Sequence, residues 1–158
     1  MLLGKKRKLG RKLAEIQVGE KLELTEKIED KDLLLYLGLT NDANPLYIQH
    51  DYASQTPFKK PIVPSIMLTG IITSAVSKYL PGPGSHVVHQ DISFPKPVYR
   101  YGSVQFLFEV VEINEKDHCV VMSVHGINEE NHTVAKGSIT VCPPHRLEPM
   151  ESSAMENF

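Results

Sequence analysis

Asp42, Tyr47, Ser65 and a few histidines are the residues whose types and spacing could do chemistry in this chain of 158 residues. Asp42 stands in the run Asn41-Asp42-Ala43-Asn44-Pro45. Asn and Asp side chains bond to nearby backbone, and Pro45 keeps Asn44 out of helical angles, so Asp42 is predicted on a rigid loop at a helix end. There its carboxylate can take a proton or serve only as a turn residue. Tyr47 follows closely, and a phenol, titrating near about 10 against about 6.5 for an imidazole, holds a water or donates a hydrogen bond better than it accepts a proton. Ser65 opens the most apolar segment. A helix starting there presents unpaired N–H groups and the positive end of its dipole, a place for a developing oxyanion. Pro64 has no N–H and fixes the approach.

His50 and His89 are imidazoles that could accept a proton near neutral pH, and each also reads as an ordinary surface or strand histidine. His86 and His89 fall on opposite faces of a regular strand, which argues against a two-histidine metal site. Thr73 either faces the site or bonds back to the carbonyl four residues earlier. Gln90 and Asp91 are candidates for the same cleft. Cys119 and Cys142 form no Cys-x-x-Cys pair, so no metal site is expected. No phosphate-cradling glycine loop or serine nucleophile elbow is present, and no cofactor is expected.

The elements that must position these residues follow from periodicity. Residues 20–28 alternate as a first strand, with Leu22 and Leu24 on one face, and Asp30 is placed to cap a helix running to residue 39. Residues 51–55 have room for a helical turn or two before Pro57. The segment 65–80 is apolar almost all round, with Thr69, Thr73 and Ser77 as one polar stripe, and is predicted to be a buried central helix. After the breaker Pro81-Gly82-Pro83-Gly84 come strands at 86–94, 98–101, 103–113, 118–127 and 133–142. The polar turns between them, 114–117 and 128–131, are short, which favours antiparallel pairing. The fold class is α+β, an antiparallel sheet wrapped around one helix.

The stretch from Asn41 to Ser65 resembles the signature of the MaoC-like hydratases, the (R)-specific enoyl-CoA hydratases of the hotdog fold. Asp42, Asn44, Pro45, Leu46, Pro61, Ile62 and Val63 match, while Tyr47 stands at the catalytic histidine position and Pro64-Ser65 replaces a His-Gly pair. Residues 80–85 and 92–98 also look like the family's, and the resemblance covers roughly residues 17–142. It implies a lyase of fatty acid metabolism that interconverts trans-2-enoyl and 3-hydroxyacyl thioesters of CoA or an acyl carrier. Asp42 and Tyr47 would be catalytic, with Ser65 supplying the oxyanion donor and Asn44 and Thr73 binding substrate. A non-catalytic acyl-CoA-binding subunit or sensor is the alternative, and a thioesterase is a third. Members of the fold commonly pair, so a homodimer or higher homo-oligomer is expected.

With 41% hydrophobic and 23% charged residues, the chain has material for one compact core. A net charge of −2 argues against a nucleic-acid partner. No segment is predicted to span a membrane, since the apolar run 66–80 is too short and interrupted by polar residues. No apolar region follows the N-terminal basic run, and two cysteines make no disulfide framework, so a cytoplasmic setting is the expectation. The expected organisation is a flexible basic terminus at 1–16, the folded domain at 17–142 and a flexible tail at 143–158.

Overall fold

The computed structural model describes residues 8–145. Alternation builds the sheet. In β3 (Ser103–Asn114) Val104, Phe106, Phe108 and Val110 point inward, and in β4 (Cys119–Asn128) Val120, Met122 and Val124 do the same. With β1 (Lys21–Lys27), β2 (His86–Ser93) and β5 (Thr133–Cys142) they form one antiparallel sheet in the order β1-β3-β4-β5-β2. The predicted piece at 98–101 is no strand. It contributes a single bridge, Tyr99 to Ile62.

Four helices lie between β1 and β2: α1 (Asp30–Thr40), α2 (Pro45–Ile48), α3 (His50–Ser54) and α4 (Ser65–Lys78). The cap of α1 is Glu29 rather than Asp30, and the Asp32 carboxylate accepts the Glu29 N–H at 2.9 Å. Asp30 is drawn elsewhere, because its carboxylate meets Arg100 at 3.2 Å and the Tyr101 hydroxyl. Those two donors, Tyr101 first, hold the Asp30 carboxyl below the ordinary carboxylate range.

The central helix is buried on one side only, which corrects the expectation of an enclosed helix. Leu68, Thr69, Ile72, Ala75 and Val76 form its buried stripe, while Ile66, Gly70, Thr73 and Ser77 are exposed. A single sheet covers one face of a helix, and α1, which buries only Leu33, stands off the other face across a cavity.

Residues 8–16, assigned from sequence to the basic terminus, run beside the turn after α4. Gly10 donates to the Pro83 carbonyl at 2.8 Å, Arg11 to the Pro81 carbonyl at 2.7 Å, and Ile16 is buried. The Arg11 side chain pairs with Glu20. Pro143 and Pro144 are likewise buried, and residues 1–7 and 146–158 lie outside the described residues.

Strand β2 contains a bulge between Val87 and His89, so that Val87 and Ile92, five positions apart, both pack on the core. The extra residue restores parity and leaves His86 and His89 both exposed, in place of the opposite faces a regular strand would give. Gly137 lets β2 approach, for a Cβ there would lie 1.8 Å from the Asp91 carbonyl oxygen. Backbone cannot yield as a side-chain tip can. Gly137→Ala is therefore expected to cost about 3 kcal/mol, read as a lowered denaturant midpoint with an unchanged slope. A midpoint equal to wild type would show that β2 and β5 can separate freely.

Candidate active site

The site is assembled at the end of α1. Asn41 takes the left-handed conformation at φ 55° and turns the chain back, its N–H bonding the Leu37 carbonyl at 2.9 Å. Asp42 is thereby folded over the last turns of the helix. Its Oδ2 accepts the Tyr36 hydroxyl at 2.9 Å and its Oδ1 accepts the Asn44 N–H at 3.1 Å. The Thr40 hydroxyl accepts the Asp42 N–H at 3.3 Å and itself donates to the Tyr36 carbonyl at 2.8 Å. The half-buried carboxylate is thus held by one donor on each oxygen, with a lone pair left on each.

Asn44 has a positioning task. Its Oδ1 accepts the Leu46 N–H at 3.0 Å and caps α2, while Pro45 occupies the first helical position. Tyr47, half-buried, rides on that short helix. The next segment is tied down twice, Ile62 donating to the Leu46 carbonyl at 3.1 Å and Val63 to the Val98 carbonyl at 2.7 Å. The first ties the approach to α4 onto α2, and the second ties it to the segment before β3.

Pro64 caps α4 without a side-chain bond, and the first cap contact is Met67 N–H to the Pro64 carbonyl at 3.0 Å. The N–H groups of Ser65 and Ile66 have no partner among the described residues. They are the donors an oxyanion needs. A cavity of about 560 Å³ lies on one side of this terminus, lined by Leu35, Tyr36 and Leu39 of α1 and by Ile66, Met67 and Ile71 of α4. A smaller one of about 280 Å³ lies on the other, lined by Ser65, Ile66, Thr69, Gln90, Ile92 and Phe94. Ile66 borders both.

The remaining candidates stand apart from this arrangement. Thr73 is exposed, donates to the Thr69 carbonyl at 2.9 Å and lines neither cavity. His50 has its Nε2 3.5 Å from Arg100 Nη2. His89 is exposed opposite Thr140 on β5. No hydrogen bond joins either histidine to Asp42 or Tyr47 among the described residues. Gln90 reaches the smaller cavity and Asp91 does not. Tyr36 is the residue missed from sequence. It and Thr40 share a helix face at i, i+4, and a left-handed residue after Thr40 folds Asp42 onto that face, a signal that was there to be used.

Over residues 13–132 the sequence matches the MaoC like domain. The chain belongs to the MaoC-like family. It is 36% identical over 84 residues to an (R)-specific enoyl-CoA hydratase of Rhodospirillum rubrum, a match covering 53% of this chain and 58% of that protein. The chain thus aligns with less than two thirds of that relative's length. An (R)-specific enoyl-CoA hydratase of Aeromonas caviae is 30% identical over 100 residues, covering 63% of this chain and 75% of the relative. In three dimensions the chain superposes on the unliganded R-hydratase of Pseudomonas aeruginosa with a TM-score of 0.78 at 28% identity, covering 90% of this chain and 97% of that one. The fold is the hotdog fold.

Burial, and then the bond to and charge of Asp42, push the Tyr36 phenol above its ordinary value of 10.0, with Tyr47 adding least. A raised value in the folded state gives stability that is present below the unfolded value and is lost as pH climbs through the folded one. The wild type is expected to lose stability as pH rises above about 10, and Tyr36→Phe to show a shallower alkaline limb in denaturant midpoints. Identical limbs would remove Tyr36 as a group titrating above its ordinary range.

Proposed function

We propose that this chain is a lyase of the (R)-specific enoyl-CoA hydratase and 3-hydroxyacyl-CoA dehydratase type, acting on acyl thioesters of CoA or an acyl carrier in fatty acid metabolism. The observation that supports the reading is a carboxylate, Asp42, held with a lone pair open on each oxygen, in a chain whose central helix starts with unpaired Ser65 and Ile66 N–H groups. Hydration needs a proton acceptor for water, a proton for the α-carbon and donors for the thioester oxygen.

In this reading the thioester oxygen lies at the α4 terminus, where the two N–H groups stabilise it as enolate character develops. Asp42 takes a proton from the water whose oxygen bonds to the β-carbon. Tyr47 orients that water and gives its hydroxyl proton to the α-carbon, and Asp42 returns a proton to it through solvent. Tyr36 keeps its own proton and holds the carboxylate in place. The larger cavity, apolar along Leu35, Leu39 and Ile71, takes the acyl chain. Asn44 positions the loop, and Thr73, His50 and His89 have no assigned step.

Tyr47 supports a second reading, a non-catalytic acyl-thioester binder, because a phenol is a poor substitute for the family's imidazole. Crotonyl-CoA hydration decides between them. For the lyase, Asp42→Asn is expected to abolish turnover with little change in stability or thioester binding, since the amide is isosteric but takes no proton. Tyr47→His with Pro64→His and Ser65→Gly is expected to raise turnover about a hundredfold or more. An inert wild type together with an inert but folded, thioester-binding triple variant would establish the binder instead.

The proposed setting is the cytoplasm, and no helix among the described residues is long and apolar enough to cross a membrane. A homodimer is proposed because β2 is an open sheet edge with Val88 and Phe94 exposed, and such an edge invites a second strand. Light scattering at micromolar concentration is expected to return twice the chain mass. A stable monomer would rule the dimer out.

A further inference from the structure

At the end of the sheet where β4 begins and β5 ends, three donor side chains converge. His118, Cys142 and His145 each offer one ligand atom, and the three atoms lie within 4.8 Å of one another. The elements bring them there. The turn after β3 closes with His118 in the left-handed conformation at φ 50°, its N–H bonding the Glu115 carbonyl at 3.3 Å. Cys142 ends β5, and the buried Pro143 and Pro144 carry the chain rigidly to His145.

Direct contacts hold the three side chains together. Cys142 Sγ lies 3.4 Å from His145 Nε2. The rings of His118 and His145 stack at 4.1 Å with 14° between their planes. His118 Nε2 is 3.2 Å from the Pro143 carbonyl oxygen. A carbonyl only accepts, so that nitrogen carries the proton and Nδ1 is left with its lone pair. A backbone carbonyl holding the far nitrogen is the usual support of a metal-ligating histidine. Zinc bonds of about 2.3 Å to sulfur and about 2.0 Å to nitrogen, arranged tetrahedrally, require ligand atoms roughly 3.3 to 3.6 Å apart. Binding requires the His145 ring to turn out of its stack on His118, so that both lone pairs aim at one point, and its place on the surface beyond the strand leaves room for that turn.

We propose that His118, Cys142 and His145 form a binding site for a borderline-soft divalent cation of the zinc type, with water in the fourth position. One thiolate and two imidazoles select such an ion over magnesium or calcium, which prefer oxygen. On coordination the Cys142 thiol releases its proton to solvent and nothing is oxidised or reduced. The bound ion clamps the end of β5 to the turn before β4. The site uses none of Asp42, Tyr47, Ser65 or Ile66, so it stands or falls apart from the lyase reading.

The test is metal binding by the full chain under a phosphine reductant, which keeps Cys142 and its cross-strand neighbour Cys119 reduced. Zinc competition against a chromophoric chelator is expected to give a single ion per chain at micromolar free metal. Cobalt(II) is expected to give the visible absorption of a tetrahedral site and a thiolate charge-transfer band. Cys142→Ser, nearly isosteric, should abolish that band, and His145→Ala, beyond the last strand, should weaken zinc at least about tenfold. Thermal melts check that both variants fold. Asp42→Asn is expected to bind zinc as the wild type does. Substoichiometric uptake by the wild type, absence of the thiolate band, or zinc held as tightly by either ligand variant would overturn the proposal.

Discussion

Leu68, Ile72, Ala75 and Val76 of α4 share one core with Phe106, Met122 and Ile139 of the sheet, and that burial sets where the helix lies. Each fully buried aliphatic side chain contributes roughly 1.5 to 3 kcal/mol, more than any exposed ion pair here can add. With α4 fixed along the sheet, its N-terminus is fixed too. The Ile62 bond to the Leu46 carbonyl then ties the approach to that terminus onto α2, and the Val63 bond ties it to Val98. The candidate site is a consequence of core packing, for no element within it would hold that geometry alone.

Polar groups in the protein are almost fully accounted for. Among the described residues no buried side-chain nitrogen or oxygen lacks a partner. The N–H groups of Ser65 and Ile66, like those of any first helical turn, are open, and Pro64 supplies no capping side chain to take one of them. Pro64 fixes the approach and leaves the donors open. The helix dipole points the same way, favouring negative charge at the same spot.

One phenol, Tyr36, lies against Asp42. Tyr36 binds the carboxylate directly and is pushed away from ionising, so it acts as a donor that orients. A carboxylate held by a phenol that keeps its proton is oriented without losing its own capacity to accept one.

The sequence determined what is local. Alternation gave β5 with the bounds it has, Thr133–Cys142, and turn chemistry located Asp42 on the loop after α1. The Asp42-Asn44-Pro45 frame marked the family before any contact was known. Tertiary structure decided the pairings between distant segments. Asp30 was free to cap α1 until Arg100 and Tyr101, seventy and seventy-one positions away, took its carboxylate. The bulge after Val87 overturned the parity of His86 and His89, because register depends on the partner strand. His118 met Cys142 and His145 only because β4 and β5 are paired, a contact that no spacing along the chain encodes. Backbone propensity and i, i+4 contacts act within a few residues and can be read in order, whereas side chains brought together by a register shift depend on the packing of the whole sheet.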